Sequence, residues 1–164
     1  MKTLFLIGGT MGIGKTTACQ CLKKALPRAV FLDGDWCWDA DPFQVTDETK
    51  AMVEGNICYL LNSFLHCSAY ENVIFCWVMH EQAILDRLLS RLDTSGCTVK
   101  AVSLVCTPDA LAKRLQRDIA TGSRDAGILG RSLPRLPAYQ TLRTLKLDVS
   151  ALTPEETARR LAAL

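Results

Sequence analysis

A chain of 164 residues, 49% hydrophobic and 22% charged, has the size and apolar content of one ordinary globular domain spanning residues 1–164. Its formal net charge of +2, without a run of five like charges, leaves no bulk signature of a polyanion-binding protein. No apolar stretch nears the ~18 residues needed to span a membrane, and the apolar run after Lys2 is too short for a secretory signal, so the expected setting is cytoplasmic.

The elements alternate from the start. Lys2–Ile7 reads as a strand and Lys15–Ala25 as a helix stopped by Pro27; Ala29–Asp33 is a second strand. From Thr46 to about Leu65, apolar residues recur with a helical period at Met52, Val53, Ile57, Leu60, Leu61, Phe64 and Leu65. Asn72–Met79 is apolar throughout, a third strand buried on both faces, and a helix follows over about Glu81–Leu92. Thr98–Cys106 is a fourth strand; Thr107-Pro108 then supplies an N-cap and a first-turn proline for the next helix. Residues 120–131, ATGSRDAGILGR, are glycine-rich and weakly periodic and read as a mobile loop. Arg143–Val149 is a fifth strand, and Thr153 with Glu156 forms a capping box for a last helix. Strands alternating with helices predict an α/β fold, a parallel sheet covered on both faces. The eight cysteines include no Cys-x-x-Cys and have only His66 and His80 to join them. They are expected to pack as free, small apolar residues.

Four glycines fall within residues 8–14, directly between the first strand and the first helix. Gly9-x-x-x-x-Gly14-Lys15-Thr16 is the complete phosphate-loop pattern in its required context. Glycines let successive N–H groups converge on phosphate oxygens, and the helix N-terminus adds a positive dipole end there. Gly9, Thr10, Met11, Gly12, Ile13, Gly14, Lys15, Thr16 and Thr17 are therefore the expected nucleotide-binding stretch. Lys15 would reach the β- and γ-phosphates and the Thr16 hydroxyl would help hold magnesium. ATP and Mg²⁺ are the implied cofactors.

No Asn-Lys-x-Asp guanine motif occurs, and no strand ends in an obvious Walker-B aspartate. Carboxylates cluster instead after the second strand, in LDGDWCWDAD, where Asp33, Asp35, Asp39 and Asp41 alternate with Trp36 and Trp38. A hydroxyl that accepts a phosphoryl group must lose a proton, and Asp35 is the candidate base. Asp33 is its competitor, and both could simply cap the turn around Gly34. Arg117, Arg124 and Arg131 are candidates to clamp the transferring phosphate, because a guanidinium fork matches phosphate oxygens; a solvated helix face is the plainer alternative. Trp36 and Trp38 either line an acceptor pocket or pack beneath the loop. His80, just past the third strand, either binds acceptor hydroxyls or starts a helix.

The chain resembles the small P-loop kinases of the gluconate kinase, shikimate kinase and adenylylsulfate kinase group, with the related chloramphenicol-phosphotransferase-like proteins. LDGD resembles adenylylsulfate kinase; CWVMHEQAILDRL, and RLQRDIATGSR followed by RSLPRLPAY, resemble the layout of gluconate kinases. The tryptophan-rich segment and the loop depart from that last pattern. The resemblance implies a three-layer P-loop NTPase fold with a five-stranded parallel sheet of order 2-3-1-4-5. It implies a lid, about residues 120–131, over ATP, with Arg114 on the adenine and Arg117 at the phosphates. Asp33, Asp35, Trp36, Trp38, His80 and Arg131 would surround the acceptor. The expected activity is phosphorylation of a hydroxyl on a small molecule: a sugar acid, a nucleoside or an antibiotic-like compound. A polynucleotide 5′-hydroxyl kinase is disfavoured by the small net charge and the lack of a basic, aromatic-interleaved patch. A non-catalytic ATP-binding module is disfavoured by the carboxylate cluster and the loop arginines.

Overall fold

The computed structural model describes residues 1–164. Five strands, β1 (Lys2–Gly8), β2 (Ala29–Asp33), β3 (Asn72–Trp77), β4 (Cys97–Val105) and β5 (Leu145–Asp148), pair in parallel in the order β2-β3-β1-β4-β5. The helices are α1 (Lys15–Ala25), α2 (Asp47–His66), α3 (Gln82–Arg91), α4 (Pro108–Ala120), α5 (Ile128–Ser132) and α6 (Pro154–Ala162). No helix is long and apolar enough to cross a membrane.

Strand parity sorts the core into two halves. Leu4, Leu6, Val73 and Phe75 point to one face and meet Val53, Ile57 and Leu61 of α2 and Leu85 and Leu88 of α3. Phe5, Ile7, Ile74 and Cys76 point to the other and meet Cys19 and Leu22 of α1, Leu111 and Leu115 of α4 and Leu161 of α6. That both faces are filled explains why β1 and β3 read as unbroken apolar runs rather than alternating ones. Five cysteines, Cys19, Cys37, Cys58, Cys76 and Cys106, are buried members of these halves, and all eight are free thiols.

The N-caps follow the sequence closely. Thr107 Oγ1 accepts the Ala110 N–H at 3.2 Å, and Thr153 and Glu156 form the reciprocal capping box. A second box, Thr46 with Thr49, starts α2; its N3 residue is a threonine rather than the usual Glu or Gln. Three boundaries differ from the sequence expectation by two residues or more. β3 ends at Trp77, not Met79, because Met79 takes a left-handed φ of 39° that breaks the strand. β5 begins at Leu145 rather than Arg143. The loop expected over 120–131 is shorter than that: Ile128 is 2% exposed and opens α5, so only about residues 121–127 are free of helix.

Candidate active site

All five strands run the same way, so their C-terminal ends gather at one edge, where ligands of open α/β sheets bind. The loop from Gly9 to Gly14 lies there. Gly12 has φ +81°, and a Cβ on it would come within 2.3 Å of Leu115 in α4; Gly14, the N-cap of α1, has φ +104°. Only glycine meets both demands, left-handed backbone and close approach.

The loop opens onto a cleft of about 950 Å³. One end holds Lys15, Thr16, Thr17 and Asp35; the other runs between Thr107–Arg117 of α4 and the Val149–Thr157 segment. Arg114 ties the far end together: its guanidinium donates to Ile13 O at 2.8 Å and to Val149 O. Arg117 lines the cleft from an exposed position. Arg124 also lines it, with its Nε 3.3 Å from Asp118 Oδ2.

At the phosphate end two carboxylates are sorted into different places. Asp33 is 4% exposed at the tip of β2, and its Oδ2 accepts the Thr16 hydroxyl at 2.5 Å while Oδ1 accepts the Asp35 N–H. It is thus turned beneath the phosphate loop, which corrects its assignment as an acceptor ligand. Asp35 projects to solvent from the 3-10 turn Gly34–Cys37 that follows. Desolvation by the surrounding protein, then the Asp33 carboxylate, raise its pKa; Lys15, the Trp77 indole and Arg124 pull it back. Burial lowers the Lys15 ammonium, and the Asp35 and Asp33 carboxylates oppose that shift. Lys15 Nζ donates to Thr10 O at 3.1 Å.

The remaining expected residues divide. Thr10 turns its side chain away from the cleft: its hydroxyl donates to Ser132 O at 2.8 Å and lies 2.9 Å from Ser132 Oγ, which donates to Met11 O at 2.5 Å. Both residues are fully buried. Arg131, expected at the transferring phosphate and the acceptor, belongs to α5, is exposed, pairs with Asp125 at 2.8 Å and does not line the cleft. Trp36 is 55% exposed and packs edge-on to Phe31 on the α1 side of the sheet, opposite the α2 side where Trp38 lies; β-parity sends Phe31 there. Trp38 does line a second hollow, about 460 Å³, with Cys37, Pro42, Met52 and Asn56. His80 sits 3.3 Å from Glu81, and its Nδ1 is a buried atom without a partner. Burial, then Arg135, lower its pKa.

Three contributors were not read from the sequence. Ser132 lies 122 residues from its partner Thr10, and nothing local marks it. Asp118 holds Arg124 and lines the cleft. Trp77 packs flush on Gly34, where a Cβ would come within 2.5 Å of its ring, and so backs the turn that carries Asp35. The pairing of Asp33 with Cys76 is the signal that could have found it, since the next residue of β3 then stands beside the next of β2.

Glycine loop, parallel sheet order and strand-end cleft together define the P-loop NTPase fold. The family model described as AAA domain matches residues 6–130, and the chain belongs to that family. Among solved structures it is similar to a tunicamycin resistance protein from Deinococcus radiodurans (TM-score 0.75, 20% identity, covering 99% of this chain and 95% of that one). It is also similar to a gluconokinase from Sinorhizobium meliloti 1021 (0.70, 21%, 98% and 90%) and to a fungal RNA kinase (0.61, 14%, 99% and 83%). No curated protein matches the sequence.

Proposed function

We propose that the protein transfers the γ-phosphate of ATP to a hydroxyl of a small molecule. The observation that carries this reading is the convergence of Lys15, Thr16 and Asp35 on one cleft, with Asp33 held behind Thr16. ATP would lie with its triphosphate in the loop and its base between α4 and the Val149–Thr157 segment, where Arg114 forms the wall. The acceptor oxygen attacks the γ-phosphorus, the bond to the β,γ-bridging oxygen breaks, and ADP leaves. Asp35 accepts the hydroxyl proton and later yields it to solvent. Lys15 meets the charge that grows toward the β-phosphate; Arg117 and Arg124 flank the transferring group, Arg124 after leaving Asp118.

The residues present suit magnesium. A Mg²⁺ ion that arrives with the nucleotide needs only one or two protein oxygens, and the Thr16 hydroxyl with the buried Asp33 carboxylate supplies them. When bound, the ion neutralises phosphate charge. Residues 121–127, with Arg124, would form the lid that excludes water.

The test is ADP release with magnesium against a panel of sugars, sugar acids, nucleosides, antibiotics and a 5′-hydroxyl oligonucleotide, with ³¹P NMR of the product. Acceptor-dependent formation of a phosphomonoester supports the reading. A preference for the oligonucleotide would move the protein to polynucleotide kinases. Tight ATP binding without acceptor-dependent turnover across the panel would favour a non-catalytic module.

A further inference from the structure

Nine large hydrophobic side chains are exposed in this chain, and three of them, Phe43, Val45 and Met52, lie within residues 43–52, after the 3-10 turn. Such a concentration beside a catalytic edge calls for a ligand-side explanation. The segment after the 3-10 turn folds back over the first turns of α2. Trp38 and Phe43 pack edge-to-face at 4.5 Å. Thr49, Met52 and Asn56, spaced three and four apart, present one face of α2 to that segment. Between them runs the 460 Å³ groove, of a size that suits a small ligand.

Its chemistry is specific. The lining contains no Lys, Arg or His and one carboxylate, Asp39. The Cys37 thiol is pushed up to about 11 by burial and then by Asp33 and Asp35, so it adds no charge. Asn56 donates to Cys37 O at 2.9 Å, which fixes the groove wall to the 3-10 turn and leaves its amide oxygen as an acceptor. Glu54, two residues before Asn56 on α2, is clamped by Arg87 of α3 through two hydrogen bonds of 2.7 and 3.1 Å. The groove is therefore mounted on a helix that is itself tied down. It is also continuous with the catalytic turn: Cys37 is two residues from Asp35, roughly 4–6 Å along a 3-10 helix.

We infer that this groove holds the body of the phosphate acceptor, and that the acceptor is an uncharged molecule with an aromatic or apolar body and a hydroxyl directed to Asp35. The inference deepens the kinase reading and rests on it for the hydroxyl. An anionic body in the groove would meet Asp39 with no countercharge among the lining residues, and an isolated anion moved out of water is penalised. A flat ring would instead extend the Trp38–Phe43 contact and cover Met52.

The test uses a pair with the same ring and chain length, one ending in a hydroxyl and the other in a carboxylate, 2-(2-naphthyl)ethanol and 2-naphthylacetate. Binding to the full chain loaded with magnesium and the nonhydrolysable ATP analogue AMPPNP is measured by ligand-observed NMR. The alcohol should bind at least about tenfold tighter than the carboxylate. Met52→Arg, at a side chain already half exposed, should abolish that preference while leaving AMPPNP affinity unchanged. Trp38→Ala should weaken the alcohol in parallel. Equal or reversed preference, or binding indifferent to Met52→Arg, would overturn the inference. So would a dimer in sedimentation that Met52→Arg dissolves without naphthylethanol binding, which would assign the patch to a second copy. Binding of the alcohol as described, with no ADP release from any member of the panel, would leave the groove standing and sink the kinase reading.

Discussion

Five cationic side chains, Lys15, Lys113, Arg114, Arg117 and Arg124, line the larger cleft, whereas the groove beside Trp38 has none. The two hollows share the 3-10 turn that carries Asp35, yet they are built by opposite means. The cleft is shaped by backbone: glycines with positive φ, a helix N-terminus, and an arginine spent on two carbonyls. The groove is shaped by side chains, with aromatic and sulfur-bearing residues around one fixed amide. A backbone-built site suits a ligand that is always the same, such as a triphosphate. A side-chain-built site can change with a few substitutions, and that is where members of one fold diverge in what they phosphorylate.

The largest effect that can test this division is at Lys15. Lys15→Ala should cost roughly 10²–10³-fold in turnover, by loss of the countercharge at the transferring group. Circular dichroism and naphthylethanol binding should stay as in the parent protein. Loss of groove binding in the same variant would break the separation of the two regions.

Ser132→Ala should act next. It removes the hydroxyl that donates to the Met11 carbonyl and lies against the Thr10 hydroxyl in the seam with α5. An unpartnered buried carbonyl costs roughly 1–3 kcal/mol, read as a lowered melting temperature. Because Met11 lies in the phosphate loop, AMPPNP affinity should fall as well, and Thr10→Ser, which keeps its hydroxyl, should retain both. An unchanged affinity would confine the seam to folding.

A smaller change is expected in the lid. Hydrogen exchange over residues 121–127 should slow on addition of AMPPNP and magnesium, while Ile128–Ser132, already anchored by Ile128 and Ser132, should respond little. Uniform slowing across both would restore the longer lid read from the sequence. The smallest shift concerns pH. With Asp35 as the proposed base, which must be ionised to accept a proton, turnover should fall as pH drops through its raised pKa. The Trp77 indole lowers that pKa, so Trp77→Phe should move the acidic limb of the kcat/KM profile to higher pH. A limb that moves down or stays would separate Trp77 from Asp35.

What could be read from the sequence follows the same division. Strands, helix starts and the phosphate loop were legible because local chemistry dictates them: apolar runs, caps, and glycines before a lysine; the strand order came from the resemblance to small P-loop kinases. Lys15, Asp35, Arg114, Arg117 and Arg124 accordingly gather where the pattern placed them. The errors lie where distant contacts decide. Arg131 was grouped with the other loop arginines, but Ile128 packs into the core, starts a helix and carries Arg131 to Asp125. Trp36 and Trp38 looked equivalent, but the turn sends one to Phe31 and the other over α2. Asp33 and Asp35 were competitors in sequence. The structure separates them by burial and by the hydroxyl of Thr16, which no local pattern encodes.

That separation of two aspartates is the centre of the account, and one paired measurement addresses it directly. Asp35→Asn keeps the side chain's shape but cannot accept a proton. Turnover with the acceptor identified from the ADP-release panel should fall ~10²–10⁴-fold, while AMPPNP titration with magnesium gives the parent affinity. Asp33→Asn in the same experiment should weaken magnesium-dependent AMPPNP binding. An Asp35→Asn enzyme that turns over near the parent rate, beside an Asp33→Asn enzyme that binds nucleotide normally but is inactive, would contradict the assignment and give the base role to Asp33.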